Sequence, residues 1–361
     1  MTENKPALGE GDLRAAVAAG ILSEAQAASV MALAAQRFAG RPEADDEAFE
    51  LFRGFAEIFV SLGLLILMAG LLVLATAADS LTGFSMIGVI VSIALAHYFT
   101  LKRRMVLPSI LLVCAYAISG FGVILGLMLD RWGISLEPQS AMVVISGTMM
   151  AALAAWYWRF KLPFTMLLIA LWGFVFSVAL IAPNDLSRLF DADDLIEGLR
   201  LTGASRFGLA TLLAGLAASA GGLWFDLRDR FRLGRAAASG FWLHLVGAPL
   251  IVNTLAQTAL TMGDSHGHLP LALVLAVMTL FALIIDRRSF LTAGLGYLIW
   301  LIWALAYRDG AGLDWPAILI LIGGAVTALG AWWVPLRAAL MRALPEFPGK
   351  DRLPPYLKGA R

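Results

Sequence analysis

Cysteine is nearly absent: Cys114 stands alone among 361 residues. One thiol excludes an intrachain disulfide framework and any cysteine-based metal cluster within one chain. Charge is scarce as well, at 15% of residues, where soluble chains run near roughly a quarter. A formal net charge of +1 leaves no bulk attraction to nucleic acid. Several chemical signatures are missing: no H-E-x-x-H, no G-x-S-x-G and no P-loop. The first 56 residues lack a basic stretch followed by an apolar one, so no cleavable signal peptide is expected. The first apolar segment must then serve as its own insertion signal.

What is present is apolar. Hydrophobic residues make up 60% of the chain, more than a water-facing surface can accommodate but acceptable where lipid is the solvent. The charges are swept into short runs between ten apolar segments: 58–78, 83–101, 106–128, 140–158, 162–182, 207–225, 237–260, 269–285, 290–307 and 315–335. None contains Asp, Glu, Lys or Arg. A spanning helix needs roughly 17–25 such residues. The expected fold is therefore all-α, a polytopic transmembrane helix bundle of about ten spanning helices. Three parts follow: a cytoplasmic hairpin and linker over 1–53, the membrane domain over 54–335, and an amphipathic turn with a Pro-rich tail over 336–361.

The basic residues orient this bundle. With the N-terminus inside, twenty-two of the 27 Lys and Arg residues fall in the inner loops and the two termini. They include Lys102, Arg103, Arg104, Arg159, Lys161, Arg228, Arg230, Arg232, Arg235, Arg287 and Arg288. Only Arg131, Arg188, Arg200, Arg206 and Arg308 fall outside. Cytoplasmic loops collect Lys and Arg, so both termini are expected in the cytoplasm. Trp156, Trp158, Trp224, Trp332 and Trp333 stand at inner ends and Trp315 at an outer one, the headgroup level that an amphipathic ring prefers. Arginine far outnumbers lysine, and alanine and glycine abound. That composition points to a GC-rich bacterial genome and, with the spans, to the inner membrane.

Residues 12–38 read as a small helical hairpin. Asp12 can cap a first helix and Gly20 end it; Ser23 opens a second with Gln26 at capping-box spacing. Gly40, Arg41 and Pro42 break the chain, and an acidic helix from Glu43 to Phe52 leads into the first span. The outer segment 183–205 is the longest loop, with apolar positions suited to one or two short surface helices. Its acidic residues Asp191, Asp193, Asp194 and Glu197 lack calcium-loop spacing. The tail from Pro345 to Arg361 reads as disordered near anionic headgroups.

Ionisable groups inside a membrane are functional candidates. Here they are His97 and His244, with Glu57 at the mouth of the first span. Segment 237–260 is the most polar, reading His244, Gly247, Pro249, Asn253, Thr254, Gln257 and Thr258. Pro249 removes a backbone donor, and Pro249, Asn253 and Gln257 share one face at four-residue spacing. Interrupted polar helices line substrate sites in transporters. His244, Asn253, Gln257, His97 and Glu57 are therefore the candidate substrate-binding residues. The competing account of the same polar residues is interhelical hydrogen bonding. The two histidines lie at depths about one helical turn apart and can face one cavity. No metal site is expected; Asp264, His266 and His268 are a weak candidate, since a His-x-His pair beside an aspartate can bind zinc or copper. Gly122 and Gly126 form a GxxxG motif, a mark of close helix packing.

The stretch Asp12-Leu13-Arg14 through Gly20-Ile21-Leu22-Ser23-Glu24-Ala25-Gln26, ahead of a series of spans, resembles a large family of uncharacterised bacterial multi-pass membrane proteins. That family, classed as a domain of unknown function, carries a short soluble helical hairpin before its spans. The resemblance implies an inner-membrane location and assigns no residue roles.

Ten spans divide as five plus five, the geometry of inverted repeats in many carriers. The leading expectation is a small-solute carrier or channel-like protein without a cofactor, more a non-enzyme than an enzyme. The alternatives are a membrane scaffold or assembly factor, with the hairpin docking a protein partner, and an intramembrane enzyme using the histidines. The lipid bilayer is the partner that composition demands; oligomeric state and substrate stay open.

Overall fold

The computed structural model describes residues 55–77, 81–128, 138–229, 234–262, 268–308, 330–346 and 349–354, with isolated positions 16, 19, 21, 320, 323, 324, 327 and 328. The chain separates into two units, Met1–Ala48 and Phe49–Arg361. In the first, a backbone bond from the Ile21 N–H to the Ala16 carbonyl is defined; the rest of the predicted hairpin and the acidic helix lie outside the described residues.

The regular structure of the second unit is helical, with no strand among its described residues. In chain order the helices are α1 (Phe55–Ala77), α2 (Leu81–Ala96), α3 (Val106–Gly126), α4 (Pro138–Phe160) and α5 (Thr165–Ile181). After these come α6 (Ala192–Gly198), α7 (Phe207–Asp226), α8 (Arg235–Leu260), α9 (His268–Ile285), α10 (Ser289–Arg308) and α11 (Trp333–Ala343). Helix α2 runs on into a π-helical turn, His97–Lys102. Each of the first nine predicted segments overlaps one of these helices, whereas most of 315–335 lies outside the described residues. Five helices, α2 with its π-turn, α3, α4, α7 and α8, are long and apolar enough to cross a membrane. Thr165–Ile181 and stretches of α1 and α9 are apolar but shorter.

Local chemistry sets the helix ends. Pro108, Pro138, Pro270 and Pro335 all stand in a first turn, where the missing N–H has no partner to lose. At the other ends Arg104, Lys161 and Asp286 adopt positive φ of 54°, 53° and 58°, the left-handed conformation that terminates helices. Asp191 caps α6, accepting from the N–H groups of Asp193 and Asp194. Part of the predicted acidic cluster is therefore local capping. The loop folds back through Leu186, Leu189 and Leu195, which pack on Val178 and Phe207. An ion pair joins Arg188 to Asp185 at 2.9 Å, and that hydrogen bond raises the Arg188 pKa.

The exposed faces are apolar: Phe59, Ile66, Ile90, Ile118 and Leu273 are each more than 60% exposed. Water would make such surfaces unfavourable, and lipid does not. Packing relies on small residues. A Cβ at Gly88, Gly122 or Gly126 would collide with Ser119, Ser85 or Thr82 respectively, so the GxxxG motif is the seam between α2 and α3. A second seam joins α7 and α8, where Gly215 meets the Gly247 carbonyl and Gly247 meets the Gly215 carbonyl. Helix α8 is the most buried of the five and packs on α5, α7, α9 and α10. It runs unbroken through Pro249, which corrects the expectation of an interrupted helix. Its small neighbours Gly247 and Ala248 allow tight packing around the site of the lost backbone bond.

The tail also departs from expectation. Lys350 is buried and donates to the Leu344 carbonyl at 2.8 Å, and the Pro354 carbonyl accepts from Arg337. Residues 349–354 are docked by those contacts, since leaving two cations buried without acceptors would be far less favourable.

Candidate functional site

The ionisable groups converge where α7 ends, α8 passes and α9 turns into α10. Asp226 is the last residue of α7, His244 lies in the third turn of α8, and Arg287 sits in the turn after α9. All three are buried, with His244 fully so. His244 Nε2 lies 3.0 Å from Asp226 Oδ2. Arg287 Nε donates to the same oxygen at 3.1 Å, and its Nη2 donates to Asp226 Oδ1. Nη2 also donates to the Ala237 carbonyl at 2.8 Å. The Arg287 fork therefore grips the carboxylate on both oxygens, the strong bidentate form of the pair.

Glycine makes the convergence possible. A Cβ at Gly222 would stand 2.7–2.9 Å from three atoms of the His244 ring. One at Gly240 would meet Asp226 and stand 2.9 Å from the Gly222 carbonyl. Phe290 closes the other side of the imidazole, ring centroids 5.8 Å apart.

A second cluster adjoins in sequence. Asp286, the left-handed residue before Arg287, accepts from Trp333 Nε1 at 2.8 Å. Arg337 lies 3.6 Å from Asp286, donates to the Leu283 carbonyl at 3.0 Å and reaches the tail at Pro354. The two aspartates and two arginines balance one another in charge. Such a cluster ties α7, α8, α9, α11 and the tail together, with each arginine set against an aspartate. No part of His244 is exposed to a substrate.

The predicted site residues scatter. His97 is exposed; its Nδ1 lies 2.9 Å from the Ile93 carbonyl and its ring meets Phe160 edge-on. Its surroundings share nothing with those of His244, so the two histidines do not face one cavity. Glu57 is buried and accepts from the backbone N–H groups of Val106 and Leu107, both at 3.1 Å. It caps α3 from another helix. Asn253 and Gln257 are half-buried on α8, with Gln257 Nε2 3.5 Å from the Tyr297 hydroxyl. Thr254 and Thr258 bond back to carbonyls of α8. Asp264 and His266 lie outside the described residues, as does the side chain of His268. Among the described residues no group of three His, Cys, Asp or Glu side chains could hold a metal ion.

Asp226 is not among the predicted site residues, and Arg287 enters the sequence reading only as a mark of the inner side. The available signal was an aspartate directly after an apolar segment on the arginine-rich side, with Gly222 one turn before it.

Two cavities are apolar. One of about 430 Å³ lies among α1, α2 and α3, walled by residues such as Leu64, Met68, Phe84, Leu112 and Ile118, with Ser85, Ser119 and Cys114 as its polar contributors. The other, about 690 Å³, lies among α9, α10 and the start of α11. None of His97, His244, Asn253, Gln257 and Glu57 lines either. No family model, curated protein or solved structure matches the chain.

Proposed function

We propose that the chain is a ten-span protein of the bacterial inner membrane, with both termini cytoplasmic, that binds a lipophilic molecule within the bilayer. The basic-residue asymmetry supports the orientation, and the N-terminal resemblance supports the bacterial family. The observation that carries the ligand reading is the contrast between cavities and polar groups. Both cavities are walled almost wholly by aliphatic and aromatic side chains, while the buried ions and most polar groups of α8 are engaged within the protein. An apolar cavity of several hundred Å³ with few polar groups is the form of a binding site for an apolar ligand. A conduit for a polar solute needs the opposite lining.

Native mass spectrometry of protein extracted in polymer nanodiscs tests this. Apolar molecules should be retained after delipidation, and Ala115→Trp, which fills the first cavity, should lower their number. Transport of a polar solute by reconstituted protein, abolished by Asn253→Ala and untouched by Ala115→Trp, would replace this reading with a solute carrier. Reporter fusions at the two termini test the orientation; a periplasmic signal from either overturns it.

A further inference from the structure

The cavity among α9, α10 and α11 has a charged end, which the cavity among α1, α2 and α3 lacks. Its lining runs from Ala272 and Leu275 past Leu280 and Leu295 to Phe290, Trp333 and Arg288. Arg288 lies in the turn between α9 and α10, so the guanidinium belongs to one end of the cavity and the aliphatic wall to the rest. On α9 the lining reaches from Ala272 to Leu280, about 12 Å of helix, an apolar wall suited to a stretch of extended acyl chain.

The charged end is built, and not merely a side chain at a surface. The Arg288 guanidinium carbon stands 5.8 Å from the Trp333 ring centroid, and Trp333 is 2% exposed and anchored to Asp286 by its indole N–H. A buried, hydrogen-bonded indole is a fixed platform for a guanidinium. Arg288 is half-buried and has partners within the protein, which hold it in place at this end of the cavity.

We propose that this cavity binds an anionic amphiphile, an acid headgroup on an acyl chain, with the head at Arg288 and the chain between α9 and α10. The inference rests on the lipophilic-ligand reading and adds the charge, the residue that selects it and the direction in which the ligand lies. An apolar chain in this wall gains from leaving water wherever it binds; discrimination between an acid and a neutral head comes from Arg288. The chemistry fits both a free fatty acid and an anionic phospholipid.

The test is photolabelling of the full-length protein in phosphatidylcholine nanodiscs. Three probes carry a diazirine at the same chain position: palmitic acid, phosphatidylglycerol and hexadecanol. Both acids, or one of them, should label peptides within 272–298 more strongly than the alcohol. Labelling by the fatty acid alone assigns a free acid, and labelling by phosphatidylglycerol assigns a phospholipid. Arg288→Gln should lower the acid signal about tenfold, the equivalent of one charge-assisted bond. Arg288→Lys should retain much of it, and Ala272→Phe should block all probes there. Equal labelling by alcohol and acids, or no change in Arg288→Gln, overturns the anionic site while leaving a lipophilic cavity standing. Failure of every probe to label 272–298 or the first cavity removes both readings.

Discussion

Removing Asp226 should destabilise the protein more than removing its partner Arg287, and removing both should do least harm. The asymmetry follows from the geometry. In Asp226→Leu the guanidinium keeps the Ala237 carbonyl but loses both carboxylate contacts. Arginine does not deprotonate in proteins, so a buried cation is left incompletely paired. Breaking a buried pair from one side costs about 3–5 kcal/mol, and the lost His244 bond adds about 1 kcal/mol. In Arg287→Met the carboxylate retains His244 at 3.0 Å and can be neutralised by a proton, so the loss should stay near the lower limit, about 3 kcal/mol. The double variant Asp226→Leu/Arg287→Met leaves no unpaired charge and should fall within about 1 kcal/mol of wild type. Reversible unfolding in bicelles, followed by steric trapping, measures all three. If Asp226→Leu proves no worse than Arg287→Met, or the double variant proves as unstable as Asp226→Leu, the cluster is not an internally neutralised lock.

The remaining expectations concern the packing around that lock. Gly222→Ala, which drives a methyl into the His244 ring, and Gly247→Ala, which meets the Gly215 carbonyl at 2.9 Å, should each cost about 1–3 kcal/mol. Gly70→Ala, with nothing within 4 Å, should gain up to about 1 kcal/mol in the same unfolding assay. Glu57→Ala removes the acceptor shared by Val106 and Leu107 and should cost about 1–2 kcal/mol, with ligand retention by the folded protein unchanged in native mass spectrometry. Arg337→Met severs the tie to Pro354. Trypsin should then cut at Arg352 about tenfold faster or more, read as release of the C-terminal peptide; an unaltered rate would mean that other contacts hold the tail.

Residue chemistry alone was sufficient for the helical class and for where the helices fall. Long apolar runs bounded by Pro, Gly and charge leave the backbone one way to satisfy its N–H and C=O groups locally, so α1 to α10 are legible one at a time. The GxxxG of α3 was legible for the same reason: small size at four-residue spacing acts within one helix. Pairing between helices was not. Glu57 reads as a substrate-binding candidate at the mouth of the first span and is a cap for α3, 49 residues away in sequence from Val106. His244 looked like a partner for His97 and instead meets Asp226 and Arg287. A helix presents several faces of similar composition, and nothing in its own periodicity says which neighbour each will meet. That choice rests on the close approach that Gly222, Gly240 and Gly247 permit and on the requirement that each buried charge find an opposite one. Both conditions are properties of the packed bundle, set by contacts between residues far apart in the chain.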